Sequence, residues 1–170
     1  MSKSSVLFLG AVLLAGCGVV PLPAVGIPDQ ALKLPASAGF EQYVAYDGSD
    51  AFAGTSLPSL LSQVRVSGQV QYGGMGDLSE VAVYLRSSLP SCTALPGSSM
   101  QLCAVSGESA QKIGTLSLKG GEVTGFQLSG SALDRAAKAG HGYFGVQALS
   151  GASLPGDQLK LSGMKASARL

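Results

Sequence analysis

Several residue types that often carry function are scarce in this chain of 170 residues. Trp and Asn are absent, His141 is the single histidine, and charged residues make up only 12% of the chain. Without Asn there is no acceptor for N-glycosylation. A structural zinc site takes about four Cys or His ligands. Three cysteines and one dispersed histidine do not indicate such a site.

Charge is low and balanced. The sequence holds 11 Lys and Arg against 10 Asp and Glu, and Lys3 would be lost if the first residues were cleaved off as a signal peptide. No run of like charges occurs. Because nucleic acids and anionic lipids attract clustered Lys and Arg, we expect no nucleic-acid partner and no electrostatic patch for membranes.

The longest apolar stretch, VLFLGAVLLAGC, lies near the start of the chain at Val6–Cys17. It is shorter than the about 20 apolar residues that a membrane-spanning helix needs. Lys3 places a positive charge before it, and two small residues precede Cys17. This order is typical of a secretory signal peptide and predicts that residues 1–16 are removed.

The motif Leu14-Ala15-Gly16-Cys17 resembles the lipobox of bacterial lipoproteins at all four positions. The resemblance implies that the Cys17 thiol carries a diacylglycerol and that the signal is cut just before it. It also implies that the new amine is acylated by a fatty acid such as palmitate. Two or three acyl chains anchor a protein stably, whereas one holds only marginally. The lipid bilayer is therefore the expected partner of acylated Cys17.

The same resemblance implies a location in the cell envelope. Gly18 follows the cysteine, where an aspartate would be the usual signal for retention in the inner membrane of Gram-negative cells. We therefore expect the outer membrane, on its periplasmic or surface face, if the cell is Gram-negative. Other envelope proteins or surface polymers are the further expected partners.

If Cys17 is lipidated, Cys92 and Cys103 remain as a pair. Both would lie in an oxidising compartment, where a disulfide bond is expected. Pro96-Gly97 between them can turn the chain back on itself. The alternative is a metal or redox pair, but the spacing is far from CxxC and His141 is the single histidine available as a further zinc ligand. The prediction is a structural disulfide.

The chain after the anchor divides into a tether and a domain. Residues 17–39 are predicted to be a semi-extended spacer, because Pro disfavours both helix interiors and central strands. The prolines in it are Pro21, Pro23, Pro28 and Pro35. Residues 40–170 are long enough to bury a core and are predicted to form one domain.

Alternating apolar and polar residues predict most of the strands. The alternation is plain in residues 63–72 and 80–86, whereas residues 40–53 are ambiguous and fit a first edge strand that ends in a turn at Asp47-Gly48. Gly120-Gly121 separates two strand patterns and predicts a β-hairpin of the primed type. At Gly163 the apolar phase shifts by one residue, which predicts a β-bulge in the last strand.

Residues Ser131 to Ala139 carry the signals of a helix. Ser131 is the predicted cap, Asp134 lies in the first turn, Lys138 lies in the last turn, and Gly140 ends the helix. Such a short helix is not stable alone in water, so it must pack against the sheets.

The predicted fold is all-β, an antiparallel β-sandwich of about seven strands with one short helix before the penultimate strand. The order of this helix, the strand that begins at Tyr143 and the final strand loosely resembles the end of immunoglobulin-like domains. The cysteine pair and the buried Trp of antibody domains are missing. The resemblance therefore implies architecture alone and transfers no functional residue.

Three motifs that could carry chemistry favour a structural interpretation. Gly140–Gly145 matches GxGxxG, but it follows a helix and opens a strand, whereas a dinucleotide loop does the reverse. His141 lies in that turn without a GxSxG nucleophile elsewhere in the chain. Asp47–Asp50 lacks the remaining ligands of a calcium loop. We therefore expect no catalytic residue, no cofactor and no metal.

These observations are compatible with three functions. The favoured hypothesis is a membrane-anchored envelope lipoprotein with a non-catalytic β-sandwich that binds or supports other envelope components. The alternative is a small-ligand or substrate-binding lipoprotein, with its site on the sandwich loops. A hydrolase that uses two carboxylates is the least favoured, because the acidic residues show no pairing in the sequence. The chain is thus not expected to be an enzyme.

Overall fold

The computed structural model describes residues 23–38, 41–55 and 62–169. Eleven strands and one α-helix lie within these ranges. They are β1 (Val25–Gly26), β2 (Gln30–Lys33), β3 (Tyr43–Asp50), β4 (Ser62–Gly73), β5 (Glu80–Arg86), β6 (Thr93–Ala94), β7 (Gln101–Ala104), β8 (Lys112–Ser117), β9 (Val123–Ser129), α1 (Ser131–Ala139), β10 (Tyr143–Ser150) and β11 (Gln158–Arg169).

The strands form two antiparallel sheets that pack face to face. One sheet has the order β1-β11-β4-β9, with β2 also paired to β11. The other has the order β6-β7-β3-β10-β5-β8. The predicted all-β sandwich with a helix before the penultimate strand is therefore confirmed. The described residues form eleven strands, more than the predicted number of about seven. Four of them have only two to four residues, too few for an alternating pattern to reveal them.

The core lies between the sheets and contains the apolar phase of each strand. In β4, the predicted inward residues are all at most 2% exposed; they are Val64, Val66, Val70 and Tyr72. Their counterparts on β11 change phase at Gly163, where the register with β4 shifts between Ser162 and Lys165. Gly163 has a φ of +58°, which glycine tolerates without strain. The predicted β-bulge is thus confirmed.

Helix α1 has the predicted bounds and packs against β4, β5 and β8. Its apolar face buries Leu133 and three alanines, so the helix covers one side of the sandwich. Gly140 takes the left-handed conformation that ends the helix, as predicted. The N-cap, however, is Gly130, and the Ser131 hydroxyl instead accepts a hydrogen bond of 3.1 Å from Arg135. The Asp134 carboxylate accepts the Val64 N–H at 2.8 Å, which ties the helix to β4.

The predicted hairpin at Gly120-Gly121 is wrong. β8 pairs with β5 in one sheet, and β9 pairs with β4 in the other, so the two glycines carry the chain between the sheets. The Gly121 N–H donates to the carbonyl of Tyr72 at 3.1 Å, which fixes this crossover to β4. A pair of glycines marks a reversal of the chain, but it does not specify which sheet the next strand enters.

Part of the segment predicted as a tether is folded. β1 and β2 both pair with β11, and Ile27, Leu32 and Leu34 are buried in the core. Pro28 lies between these two strands, so proline interrupts the pairing with β11 without preventing it. The sandwich therefore includes residues from Val25 onward. The predicted signal peptide, residues 1–16, and Cys17 lie outside the described residues.

The predicted edge strand lies in the interior of its sheet. β3 pairs with β7 on one side and with β10 on the other. Tyr143 lies opposite Asp50, and Gly145 lies opposite Tyr46, so three residues of β3 oppose one residue of β10. Asp47-Gly48 therefore belongs to a bulge within the strand and is not the predicted turn.

Candidate functional site

Cys17, the predicted site of lipidation, lies outside the described residues, and its acylation stays a prediction. Among the residues that the structure does describe, no helix is both long and apolar enough to cross a bilayer.

Cys92 and Cys103 are joined by a disulfide bond, as predicted, with a Cα–Cα distance of 5.2 Å. The bond closes a loop that contains the short strand β6, which pairs with β7 inside the same loop. Cys103 is buried on the outer face of the six-stranded sheet, beside Val44. Both sulfur atoms are used in this bond, so neither is a thiolate ligand for a metal.

We expect the Cys92→Ala/Cys103→Ala variant to lose about 3 kcal/mol of unfolding free energy, because a loop of roughly 12 residues is no longer closed in the unfolded chain. Urea denaturation measures the loss. Reduction should lower the midpoint of the wild-type protein by a similar amount and leave the variant unchanged. An identical midpoint for wild-type protein with and without reductant would contradict this prediction.

A buried ion pair lies on the outer face of the six-stranded sheet. Glu108 is 3% exposed and receives two hydrogen bonds from Arg86, at 3.0 and 2.6 Å. The Tyr46 hydroxyl donates to the same carboxylate at 2.6 Å. The guanidinium of Arg86 also lies over the Tyr46 ring, 5.7 Å from its centre. The bidentate contact of Arg86 with both oxygens of Glu108 is typical of strong Arg–carboxylate pairs.

The electrostatics of this cluster keep Glu108 ionised. Burial by itself would raise the pKa of Glu108, but the hydrogen bonds from Arg86 and Tyr46 outweigh it and lower that pKa. Burial, together with the adjacent Glu108 carboxylate, raises the pKa of Tyr46 well above its usual range. The phenol is therefore a fixed donor, and the arrangement serves to hold the segment around Glu108 on the sheet.

A second buried carboxylate, Asp157, organises the loops at one end of the sandwich. It accepts the N–H groups of Leu154, Met75 and Gly76 at 2.8, 3.1 and 3.2 Å, and also the hydroxyl of Tyr72. Burial would raise the pKa of Asp157, but these hydrogen bonds together lower it. The carboxylate thus connects the loop after β4 to the loop before β11.

Glycine is required where this loop passes the carboxylate. A Cβ atom on Gly74 would collide with the side chain of Asp157, and one on Gly76 would collide with the carbonyl of Ala152. The glycine-rich sequence GGMG at 73–76 therefore lets the backbone approach the acid closely. Sequence analysis missed Asp157, and its one local signal is the position after Pro155-Gly156, where a turn is expected.

Asp50 and His141, which sequence analysis treated separately, lie together. The Nδ1 atom of His141 is 2.6 Å from an Asp50 carboxylate oxygen, and the other oxygen accepts the N–H groups of Phe52 and Gly142 at 3.0 and 2.9 Å. Burial would raise the pKa of Asp50, but the hydrogen bonds from His141 and the two amides lower it. His141 is 61% exposed. The pair holds the turn after α1 against the end of β3.

An open groove of about 640 Å³ runs along the side of the sandwich where the disulfide loop faces β2. Its apolar lining includes Leu34, Leu95 and Met100, and three prolines border it. A groove of this size is within the range of small-molecule sites. The described residues that line the groove include no tyrosine.

No protein-family model, no curated protein and no solved structure matches this chain. In the part of the chain that the structure describes, no group of three or more Cys, His, Asp or Glu side chains is placed to hold a metal ion. The molecule is therefore described by its own geometry, as a two-sheet β-sandwich with one disulfide. The immunoglobulin-like resemblance stays a prediction.

Proposed function

We propose that this protein is a membrane-anchored envelope lipoprotein whose non-catalytic β-sandwich binds or supports other envelope components. The lipobox-like Leu14-Ala15-Gly16-Cys17 carries the proposal. The disulfide between Cys92 and Cys103 supports it in two ways. It is the form expected outside the cytosol, and it pairs the two cysteines other than Cys17, so that the Cys17 thiol is not needed for this bond.

The fold offers further support for a structural or binding role. The two buried carboxylates, Glu108 and Asp157, are each held by several donors within the domain. Glu108 holds the segment after β7 to β3 and β5. Asp157 connects the loop after β4 to the loop before β11. A rigid sandwich attached to a lipid surface is suited to presenting a constant surface to neighbouring components.

The test of the anchor is the Cys17→Ser variant. We expect mass spectrometry of the wild-type protein from membranes to show a chain that begins at Cys17 and carries two or three acyl chains. The variant should lack this mass and the cleavage before residue 17, because the thiol is the site of the lipid. The disulfide variant Cys92→Ala/Cys103→Ala is the matched control and should still be acylated. A wild-type chain with Met1 intact and an unmodified Cys17 would refute the proposal.

Cross-linking in native membranes tests the second half of the proposal. We expect envelope proteins or surface polymers to be captured with the wild-type protein and to be absent from a mock purification. A protein that is acylated but is recovered alone after cross-linking would retain the anchor and lose the proposed supporting role.

The groove favours a second candidate, a small-ligand-binding lipoprotein. The ligand would be apolar, because Leu34, Leu95 and Met100 line the groove. Native mass spectrometry of the protein isolated from its own cells tests this candidate. A bound small molecule that is lost in Met100→Trp, which fills the groove, would favour it over the supporting role.

A further inference from the structure

The outer face of the five-stranded sheet collects half of the cationic side chains of residues 17–170. They belong to the polar phase of three adjacent strands, opposite to the buried residues of the core. These residues are all exposed, and they are Lys33 on β2, Arg65 on β4, and Lys160, Lys165 and Arg169 on β11. We call this surface the basic face.

Strand pairing, and not sequence proximity, assembles the basic face. Lys33 on β2 lies opposite Gln158, and Arg65 on β4 lies opposite Ser167. The two cations therefore lie on opposite sides of β11. Along β11, the basic face extends from Lys160 to Arg169, which is roughly 30 Å at the usual rise of a strand. Its other members are uncharged; they include Ser67, Gln69, Gln71, Gln127, Ser129, Ser162 and Ser167.

The strands of the basic face carry no Asp or Glu on their outer side in the described residues. Three carboxylates of the described residues border it, and each has another partner. Asp134, which lines the same surface cavity as Arg65, accepts the N–H of Val64 at 2.8 Å. Asp29 accepts the N–H of Gly163 at 2.9 Å, and Glu122 lies 3.6 Å from Lys119. The buried ion pair uses Arg86, which belongs to the other sheet. The near-zero net charge therefore conceals a separation of charge, which the absence of like-charge runs along the sequence does not reveal.

We propose that the basic face docks on the anionic surface of a lipid bilayer and contacts its phosphate headgroups. The orientation rests on the proposed lipidation of Cys17. The chain enters the sandwich at Val25, and β1 pairs with Lys165 and Ala166 at the edge of this same sheet. Val25 lies eight positions after Cys17, a length of chain that spans at most about 28 Å. The anchor therefore holds this sheet close to the headgroups.

The chemistry of the face favours a bilayer over a polymer. Proteins that bind single-stranded nucleic acid combine positive charge with aromatic side chains on which the bases stack. The aromatic residues of β4 and β9, Tyr72 and Phe126, belong to the inward phase. The groove described above meets the basic face at Lys33 and Gln158, and its described lining holds no aromatic residue. A face of Lys, Arg, Gln and Ser without a stacking platform fits headgroup phosphates, and each such cation near an anionic surface strengthens association about fivefold.

Lysine labelling on vesicles tests the proposal. The full-length protein as isolated is placed on vesicles of phosphatidylcholine alone or with about 30% phosphatidylglycerol, and amine acetylation is followed residue by residue. We expect Lys160 and Lys165 to be labelled about fivefold more slowly on the anionic vesicles. Labelling should recover in 1 M salt, where the Debye length is about 3 Å. Lys112 and Lys138, on other surfaces, should be labelled equally on both.

Charge reversal that spares the reporter lysines sharpens the result. Arg65→Glu/Arg169→Glu should abolish the protection of Lys160 and Lys165. The matched control, Lys112→Glu/Lys138→Glu, changes the net charge equally and should preserve it. Equal labelling of wild-type protein on both vesicle types overturns the proposal. Protection by soluble polyphosphate without protection by vesicles also overturns it, in favour of an anionic polymer.

The two proposals fail separately. Protection on anionic vesicles by a protein whose Cys17 proves to be unacylated would refute the anchor and retain the basic face. An acylated protein with unprotected Lys160 and Lys165 would retain the anchor and refute the docking.

Discussion

Asp157→Ala is expected to lower the unfolding free energy by about 4 kcal/mol. The carboxylate accepts four hydrogen bonds, from the Tyr72 hydroxyl and three backbone N–H groups. Its loss leaves these donors unsatisfied, at about 1 kcal/mol or more for each. Urea denaturation at pH 7 measures the effect. Asp47→Ala is the matched control, because Asp47 accepts one exposed N–H, from Ser49, and should cost less than about 1 kcal/mol.

The pH dependence of the stability difference between wild type and Asp157→Ala tests whether the charge of the carboxylate causes that difference. Because the folded-state pKa of Asp157 is lowered, its contribution is fully present above the unfolded pKa of about 3.9. It is lost as the pH falls through the folded-state pKa. The difference between wild type and variant should therefore be constant from pH 5 to 8 and narrow below about pH 4. A difference that stays constant into strong acid would show that the ionised carboxylate is not what holds these loops.

Arg86→Met is expected to cost about 3 kcal/mol at pH 7. The substitution keeps an apolar stem but leaves the buried Glu108 carboxylate with Tyr46 as its remaining side-chain partner. Loss of one member of a buried ion pair typically costs about 3–5 kcal/mol. The lower value applies here because Arg86 is 28% exposed, so that water can enter beside Glu108. Lys119→Met, which breaks an exposed pair, should cost less than about 1 kcal/mol.

Acid should also narrow the difference in unfolding free energy between wild type and Arg86→Met, but for another reason. In the wild-type protein the folded-state pKa of Glu108 is lowered, so its stabilisation is present above the unfolded pKa of about 4.3 and is lost below it. In the variant, Glu108 keeps the hydrogen bond from Tyr46 but loses those from Arg86. We expect burial then to raise the folded-state pKa of Glu108, so that protonation relieves the buried charge as the pH falls. We expect the cost at pH 4.5 to be smaller than at pH 7. An equal cost at both pH values would mean that packing, and not the buried charge, sets the penalty.

The sequence predicted correctly those features that depend on neighbouring residues or on the number of cysteines. Ser131 to Ala139 was predicted as a helix with the observed bounds, because Gly140 and the charged residues at both ends act within one turn. The bulge at Gly163 followed from the phase of alternation within a single strand. The disulfide followed from the cysteine count once Cys17 was set aside.

Predictions that depend on pairing partners were less successful. The glycines at 120–121 marked a reversal correctly, but β8 and β9 enter different sheets. β3 was expected at an edge and lies between two strands. β1 and β2 were hidden by the prolines around them, and they form because β11 offers them a paired edge.

The amino-acid sequence by itself determined the fold class, the helix, the alternating strands, the cysteine partners and the motif at Cys17, because each depends on neighbours along the chain or on simple elimination. Only the tertiary structure decided which strands share a sheet. It thereby decided that Arg86 meets Glu108, that Asp157 collects two loops, and that the cations of β2, β4 and β11 form one face. The physical reason is that strand pairing joins residues that lie far apart in the chain, such as Arg65 and Ser167. Alternation within one strand carries no information about such a distant partner.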